Sequence, residues 1–277
     1  MATTPLPDLL AVLDLEPGAP GHFRGRNLSA AGGGKVVYGG QLLAQAVVAA
    51  SRAVPGKDVK SLHAVFVTGA EPVRPMDLSV EVMHAGRSFA SATVDAGQEG
   101  RLCMRALVLL DSAGEELARH ADPMPAVDGP ELAVPSTGAG AVEEVRIVGG
   151  VDLSTPDVTG PAELFAWVRF PGAPDDDALD RALLAYASEP LFFGTALRPH
   201  AGLGQAMVYT ELIPAVVTHH LTYHDRLRAS EWFLLALSSP HVGRGRIFGS
   251  GSVFTGDGRL VASVTQENQL RRMPRRA

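Results

Sequence analysis

The feature that most constrains the fold is a stretch of the chain, residues 38–52, that is apolar on nearly every side. After two glycines, Leu42, Ala46 and Ala50 recur at helical spacing, and most of the residues between them are also small or apolar. A helix that is apolar all round is enclosed by protein and does not lie on a surface. The pattern therefore predicts a helix over about Gly40–Ala53 that a curved sheet encloses.

Four predicted strands follow this helix. Leu78, Val80 and Val82 alternate with polar or exposed-type residues, as in a strand covered on one side. A tight turn at Gln98-Glu99-Gly100 makes the last two strands a hairpin. The predicted strands are Lys60–Val67, Met76–Ala85, Ser88–Gly97 and Arg101–Leu110. A long helix followed by a run of antiparallel strands predicts a hotdog unit, one helix rolled in one sheet.

The second part of the chain repeats this order after a linker rich in proline and glycine. Pro174 and three aspartates set up a second helix over about Asp176–Glu189, which Pro190 ends. The predicted strands around it are Val145–Val148, Leu164–Phe170, Ala215–His224, Glu231–Ser238, Ile247–Phe254 and Leu260–Leu270. We therefore predict an α+β double hotdog, two antiparallel sheets each wrapped around a central helix and joined into one long sheet. The expected units are residues 1–120 and 144–277, with the linker at 121–143.

Two residues of the second unit have no counterpart in the first. Gln266 ends an apolar row on the last strand, where the first unit has Val108. A buried amide that finds no partner costs about 1–3 kcal/mol, so Gln266 is either a functional group or a structural amide that caps the helix end. Glu189 ends the second helix, where the negative pole disfavours a carboxylate. We expect this position to raise its pKa toward that of a general base; the alternative is an exposed acid at a frayed helix end.

Several classes of function are not indicated. The formal net charge of −6 argues against a general nucleic-acid binder. No apolar run reaches 18 residues, so we expect no membrane span and a cytoplasmic protein. On a strand, His219 points away from His220 and His224, so we expect no metal site. No cofactor and no serine or cysteine nucleophile is indicated.

In five places the sequence resembles the type II acyl-CoA thioesterases of double-hotdog fold. The motifs, in the order in which that family has them, are Gly39-Gly-Gln41, Tyr186-Ala-Ser-Glu189, His224 followed by Glu231-Trp232, Asp257-Gly-Arg-Leu-Val-Ala-Ser263, and Gln266-Glu267. The resemblance implies hydrolysis of an acyl-CoA thioester to free fatty acid and CoA, a role in fatty acid metabolism, and no cofactor. Fold analogy also implies a homodimer.

The same resemblance implies a carboxylate, a hydroxyl residue and a glutamine that activate a water molecule. The glutamine falls on Gln266, and the family's Asp falls on Glu189, one methylene longer. The hydroxyl position falls on Val216, and Thr218, two residues further on, is the candidate substitute. The third expected site residue is thus Thr218.

Two alternatives stay open at this point. A protein that binds acyl-CoA without turning it over would fit the loss of the hydroxyl at Val216. A hotdog dehydratase or hydratase would use His63, although the residue four positions on is Val67 and not the glycine of the dehydratase motif. The CoA phosphates could contact Arg244 and Arg246 or the pair Arg271-Arg272, which are otherwise solvated surface arginines.

Overall fold

The computed structural model describes residues 4–28, 36–136, 142 and 144–273 of the chain. Its helices are α1 (Leu6–Leu13), α2 (Gly39–Ala53), α3 (Asp177–Ala187) and α4 (Leu191–Leu197), with 3₁₀ turns at Val148–Gly150 and Gln205–Met207. The first-half strands are β1 (Glu16–Pro17), β2 (His22–Gly25), β3 (Asp58–Phe66), β4 (Met76–Ala85), β5 (Phe89–Gln98) and β6 (Arg101–Asp111). The remaining strands are β7 (Val134–Pro135), β8 (Glu144–Ile147), β9 (Glu163–Arg169), β10 (Leu212–Tyr223), β11 (Phe233–Gly243), β12 (Arg246–Thr255) and β13 (Leu260–Arg272).

The strands form one long sheet in the order β1-β2-β4-β5-β6-β3-β10-β13-β12-β11-β9-β8-β7. Four central strands of the first half, β4-β5-β6-β3, are mirrored by β10-β13-β12-β11 of the second. The halves meet where β3 pairs antiparallel with β10. The predicted double hotdog is therefore confirmed, with the two sheets joined into one.

Helix α2 is enclosed as its sequence predicts. Every residue from Gly40 to Ala50 is buried, including two glutamines. Its partner is α3, and the two helices approach closely because a Cβ on Gly40 would lie only 2.5 Å from the carbonyl oxygen of Tyr186. Glycine at this position therefore lets the start of α2 meet the end of α3, which brings the two halves of the chain into contact.

The predicted linker has little regular structure, and part of it packs on the sheet. Met124, Val127 and Ala133 lie against Trp167 and its neighbours on the outer face of the second half. Residues 137–141 and 143 lie outside the described part of the chain. The linker is thus partly a cover for the second sheet, and the domain boundaries given above stay a prediction.

Two short helices are absent from the sequence prediction. Helix α1 lies within the first 22 residues, for which the sequence predicted no helix, and it buries Leu6, Leu9, Val12 and Leu13. Helix α4 begins directly after Pro190, which is its N-cap. Proline is tolerated at a helix start because its missing N–H would have no partner there. Pro190 thus separates two helices, where the sequence predicted only an end. None of the described helices has the length and apolar character needed to cross a membrane.

Candidate active site

Glu189 lies in the bend that joins α3 to α4. Helix α3 ends at Ala187, and Ser188 caps it with its N–H bound to the carbonyl of Leu184 at 2.9 Å. The bend faces the first turn of α2, so that a Cβ on Gly39 would lie 3.8 Å from the carboxyl carbon of Glu189. The acid of the second half thus meets the helix start of the first half.

The environment of Glu189 changes its acidity. Burial raises the pKa of Glu189 to about 7, and a hydrogen bond from the Tyr38 hydroxyl opposes this rise. Tyr38 also reaches the Tyr186 carbonyl oxygen, at 2.9 Å. The direction agrees with the expectation from sequence, and its main cause is burial. Glu189 therefore changes charge near neutral pH.

Gln266 is held in a buried hydrogen-bond network next to Glu189. Its Nε2 donates to the backbone carbonyl oxygen of Glu189 at 3.1 Å and to Oδ1 of Asn268 at 3.1 Å. Its Oε1 lies 2.7 Å from Nδ1 of His219, whose Nε2 lies 3.0 Å from Oγ of Ser188. All four of these side chains are at most 2% exposed. Gln266 therefore binds a carbonyl at the end of α3, which is the contact expected if it were a structural amide that caps the helix end.

One acceptor fixes the orientation of the whole network. The carbonyl of Glu189 can only accept, so the amide nitrogen of Gln266 must face it and Oε1 must face His219. His219 is then neutral and protonated on Nδ1, in agreement with a pKa that burial lowers to about 4. Its Nε2 faces Oγ of Ser188, and the one hydroxyl proton of Ser188 is shared between that nitrogen and the carbonyl oxygen of Ala185, each 3.0 Å away. Both amide protons of Gln266 are therefore in use, and one lone pair of Oε1 stays available.

The first half has apolar residues at the equivalent positions. Gln266 lies across from His219 on β10 and Gly249 on β12. Val108, its counterpart, lies across from Leu62 and Ala92, and all three are buried. The polar network is therefore a property of the second half alone.

Thr218 does not join the other two predicted residues. It lies opposite Glu267 on β13 and the exposed Val65 on β3, so it faces the outer side of the sheet. A register shift between Val216 and Thr218 causes this, because an extra residue in one strand changes the face that the following side chains take. Val216 instead lies opposite Asn268, on the same face as Gln266.

The other histidines lie away from Glu189. His63 is exposed and its ring packs edge-on against His220 on the outer face, 5.4 Å between ring centres. His219 does face the opposite side from His220, as its place in the strand predicts. Across the ranges that the structure describes, no three His, Cys, Asp or Glu side chains are grouped as metal ligands would be. His63 is thus remote from the site that a dehydratase would need.

Sequence reasoning missed Tyr38, Ser188, His219 and Asn268 as parts of this site. Tyr38 and Ser188 adjoin motifs that were singled out, so proximity alone was a signal. Asn268 is two residues after Gln266 and shares its face by simple alternation. For His219, the signal was its position opposite to its two neighbouring histidines, which places it on the inner face.

Two helices, each rolled in one half of a continuous antiparallel sheet, define a double-hotdog protein. A partly buried acid and a buried amide lie where the halves meet. Residues 28–110 match the family described as the acyl-CoA thioesterase N-terminal domain, and residues 115–270 match the acyl-CoA thioesterase C-terminal domain. The chain belongs to the acyl-CoA thioesterase family.

Individual relatives match over nearly the whole chain. Human acyl-coenzyme A thioesterase 8 is 30% identical over 95% of this chain and 88% of its own length. Acyl-CoA thioesterase 2 of Haemophilus influenzae is 29% identical over 96% of this chain and 98% of its own length. Among solved structures, a tesB protein of Mycobacterium avium subs paratuberculosis superimposes with a TM-score of 0.82 at 28% identity, covering 96% of this chain and 99% of its own. The structure of acyl-CoA thioesterase II TesB2 from Mycobacterium marinum superimposes with a TM-score of 0.78 at 30% identity, covering 96% of this chain and 98% of its own.

Proposed function

We propose that this protein hydrolyses an acyl-CoA thioester to a free fatty acid and CoA, with Glu189 as the general base. The observation that carries the proposal is the partly buried carboxyl of Glu189, which faces the start of α2 and has a pKa of about 7. A base with this pKa is half ionised at neutral pH and still basic enough to accept a proton from water. The family to which the chain belongs supports the same reaction.

In the proposed reaction, a water molecule donates one proton to Glu189 and its other O–H to the free lone pair of Gln266 Oε1. The water oxygen attacks the thioester carbonyl carbon and forms a tetrahedral oxyanion. The N–H groups of Gly39 and Gly40 begin α2, where backbone donors lack helical partners and favour negative charge. Collapse of the intermediate breaks the carbon–sulfur bond, and the CoA thiolate takes the proton from Glu189. Water is the only co-reactant, and no cofactor is needed. We propose no role in the reaction for Thr218, because it faces the other side of the sheet.

Four arginines near the end of β13 support a phosphate-bearing substrate. Arg244 and Arg246 lie at the β11–β12 turn, whose Gly245 carbonyl accepts from the N–H of Leu270, directly before Arg271 and Arg272. All four are exposed, and no carboxylate among the described residues pairs with them. Arg271 is five residues beyond Gln266, roughly 17 Å along the strand, which an extended pantetheine arm spans. We propose that these side chains bind the CoA phosphates.

The base is tested by measuring thiol release from acyl-CoAs of several chain lengths. We expect Glu189→Gln to lower kcat by about 10²–10⁴, the contribution typical of a general base, and Gln266→Ala to lower it as well. Unchanged hydrolysis in both variants would refute the assignment. Tight binding of acyl-CoA with no turnover by the unmodified protein would instead favour the binding protein.

The phosphate contacts are tested with the double variant Arg271→Ala/Arg272→Ala. We expect a higher KM for acyl-CoA and an unchanged KM for acyl-pantetheine, which carries the same thioester without phosphates. Equal effects on the two substrates would contradict the contact.

Three further features stay proposals: a homodimer, a cytoplasmic location and a role in fatty acid metabolism. The homodimer is consistent with exposed Val65, Leu107 and Leu109 on the outer face of the first half. Light scattering of the purified protein measures its mass, and a monomer would contradict the dimer.

A further inference from the structure

Asn268 is the one member of the buried network whose hydrogen bonds are incomplete. Its side chain is 2% exposed, and its Oδ1 accepts from Gln266 Nε2 at 3.1 Å. Because the carbonyl of Glu189 fixes the orientation of Gln266, the oxygen of Asn268 must face Gln266 and its Nδ2 must face elsewhere. No described residue accepts a hydrogen bond from that Nδ2. Because Nδ2 is not among the fully buried atoms that lack a partner, it borders space that a water molecule can enter.

The sheet around Asn268 offers no acceptor for this donor. Its cross-strand neighbours on the same face are Val216 on β10 and Ile247 on β12. Ile247 belongs to an apolar cluster with Phe193, Ala196, Leu197 and Leu212. Along β13, the neighbours two residues away are Gln266, which already binds Oδ1, and Leu270. The free N–H₂ thus lies on the inner face of the sheet, beside the glutamine that holds Glu189.

Val216 is the position at which the family resemblance places a catalytic hydroxyl, and it lies directly opposite Asn268. Side chains opposite each other on neighbouring antiparallel strands have Cβ atoms about 4.5–5.5 Å apart, so either residue reaches the same small volume. The chain therefore has an apolar side chain on β10 and an amide on β13 that face the same space.

Resting on the proposed hydrolysis, we propose that Asn268 is a catalytic residue whose Nδ2 donates a hydrogen bond to the attacking water in place of the missing hydroxyl. The water then has four directed contacts. Its two protons go to Glu189 and to Gln266 Oε1, one lone pair accepts from Asn268, and the other points at the thioester carbon. No covalent step is added, and the proton still passes to Glu189.

The test compares steady-state kinetics of Asn268→Ala, Val216→Thr and the double variant Val216→Thr/Asn268→Ala with those of the unmodified enzyme. Each Tm is measured so that an unfolded variant is recognised. We expect Asn268→Ala to lower kcat by about 100- to 1000-fold, the effect of removing one directed donor, with KM changed less than about threefold. The double variant restores at least part of the loss, because the new hydroxyl lies opposite the deleted amide.

A residue that merely supports Gln266 would not be replaced by a hydroxyl on another strand. Full activity of Asn268→Ala, or a loss that Val216→Thr does not restore, would overturn the inference while leaving the proposed function intact. An unmodified protein that hydrolyses none of the acyl-CoAs would overturn the proposed function and this inference together.

Discussion

The acidity of Glu189 predicts how activity depends on pH. With a pKa of about 7, half of the enzyme carries the ionised base at pH 7, roughly one-tenth at pH 6 and roughly one-hundredth at pH 5. Because the base acts only when ionised, kcat/KM should fall about tenfold for each pH unit on the acid side and reach a plateau above about pH 8. The fall in kcat/KM reports the pKa of the free enzyme, in which the carboxyl is partly buried.

A change at Tyr38 should move this profile in a known direction. The hydroxyl of Tyr38 stabilises the carboxylate form of Glu189, so Tyr38→Phe removes a contact that lowers the pKa. A hydrogen bond to a charged group contributes about 1.5–3 kcal/mol, which corresponds to roughly 1–2 pH units. Tyr38 also reaches the carbonyl of Tyr186 with the same proton. We therefore expect the midpoint of the pH profile of Tyr38→Phe to lie about one pH unit higher than that of the unmodified enzyme, at the lower end of that range.

The assay follows thiol release with a reagent that reacts across the whole pH range, with an acyl-CoA well below its KM. His219 does not confuse the result, because its pKa of about 4 leaves it neutral throughout. His220 and His224 also have pKa values below the ordinary one, since burial disfavours their charged forms. Glu189→Gln is the control and should give a low, flat profile. A flat profile for the unmodified enzyme, or a fall that survives in Glu189→Gln, would refute Glu189 as the base.

Three more results are expected. The folded pKa of Glu189, about 7, lies above the ordinary value of 4.5, so its contribution to stability is complete below about pH 4.5 and is lost as pH rises through 7, up to about 3 kcal/mol. Glu189→Gln should therefore have a higher Tm than the unmodified protein at pH 8 and a similar Tm at pH 4. Equal Tm values for the two proteins at both pH values would contradict this. Gly40→Ala should lower Tm and activity because the added Cβ would lie 2.5 Å from the Tyr186 carbonyl oxygen. Gly39→Ala is the matched control for Tm and should be milder, because its added Cβ has its nearest contact at 3.4 Å. Equal losses of Tm in the two variants would argue against the close helix contact. Thr218→Val should keep the kcat of the unmodified enzyme, since Thr218 lies on the outer face, and a loss above about tenfold, the scale of a directed contact, would restore it as a candidate.

Much of the fold is readable from the sequence because its signals are local. The enclosed helix, the alternating strands and the hairpin turn at Gln98-Glu99-Gly100 each depend on a few neighbouring residues, and the predicted strand Met76–Ala85 has the bounds of β4. The repeat of the same order then gives the double hotdog. Helices α1 and α4 were missed because both are short and begin next to proline, which normally indicates a break.

The site is less predictable because it depends on the register between strands. Thr218 is two residues from Val216, and regular alternation would put both on one face. The bulge between them breaks that alternation on β10, so Val216 faces Asn268 and Thr218 faces Glu267. No local pattern in the sequence marks this bulge. The same pairing is what brings Asn268 into the site, and it becomes visible only when β10 and β13 are placed side by side.

The two halves differ in what surrounds equivalent positions, and this confines the buried polar network to the second half. The backbone positions of Val108 and Gln266 are equivalent, yet the first is surrounded by Leu62 and Ala92 and the second by His219 and Gly249. Apolar side chains can be buried without losing hydrogen bonds to water, whereas buried polar side chains are stable only when their donors and acceptors are paired. Gln266 meets that condition and Asn268 meets it only in part. Nδ2 of Asn268 has no acceptor among the described residues and is not fully buried, so a bound, directed water would complete the match.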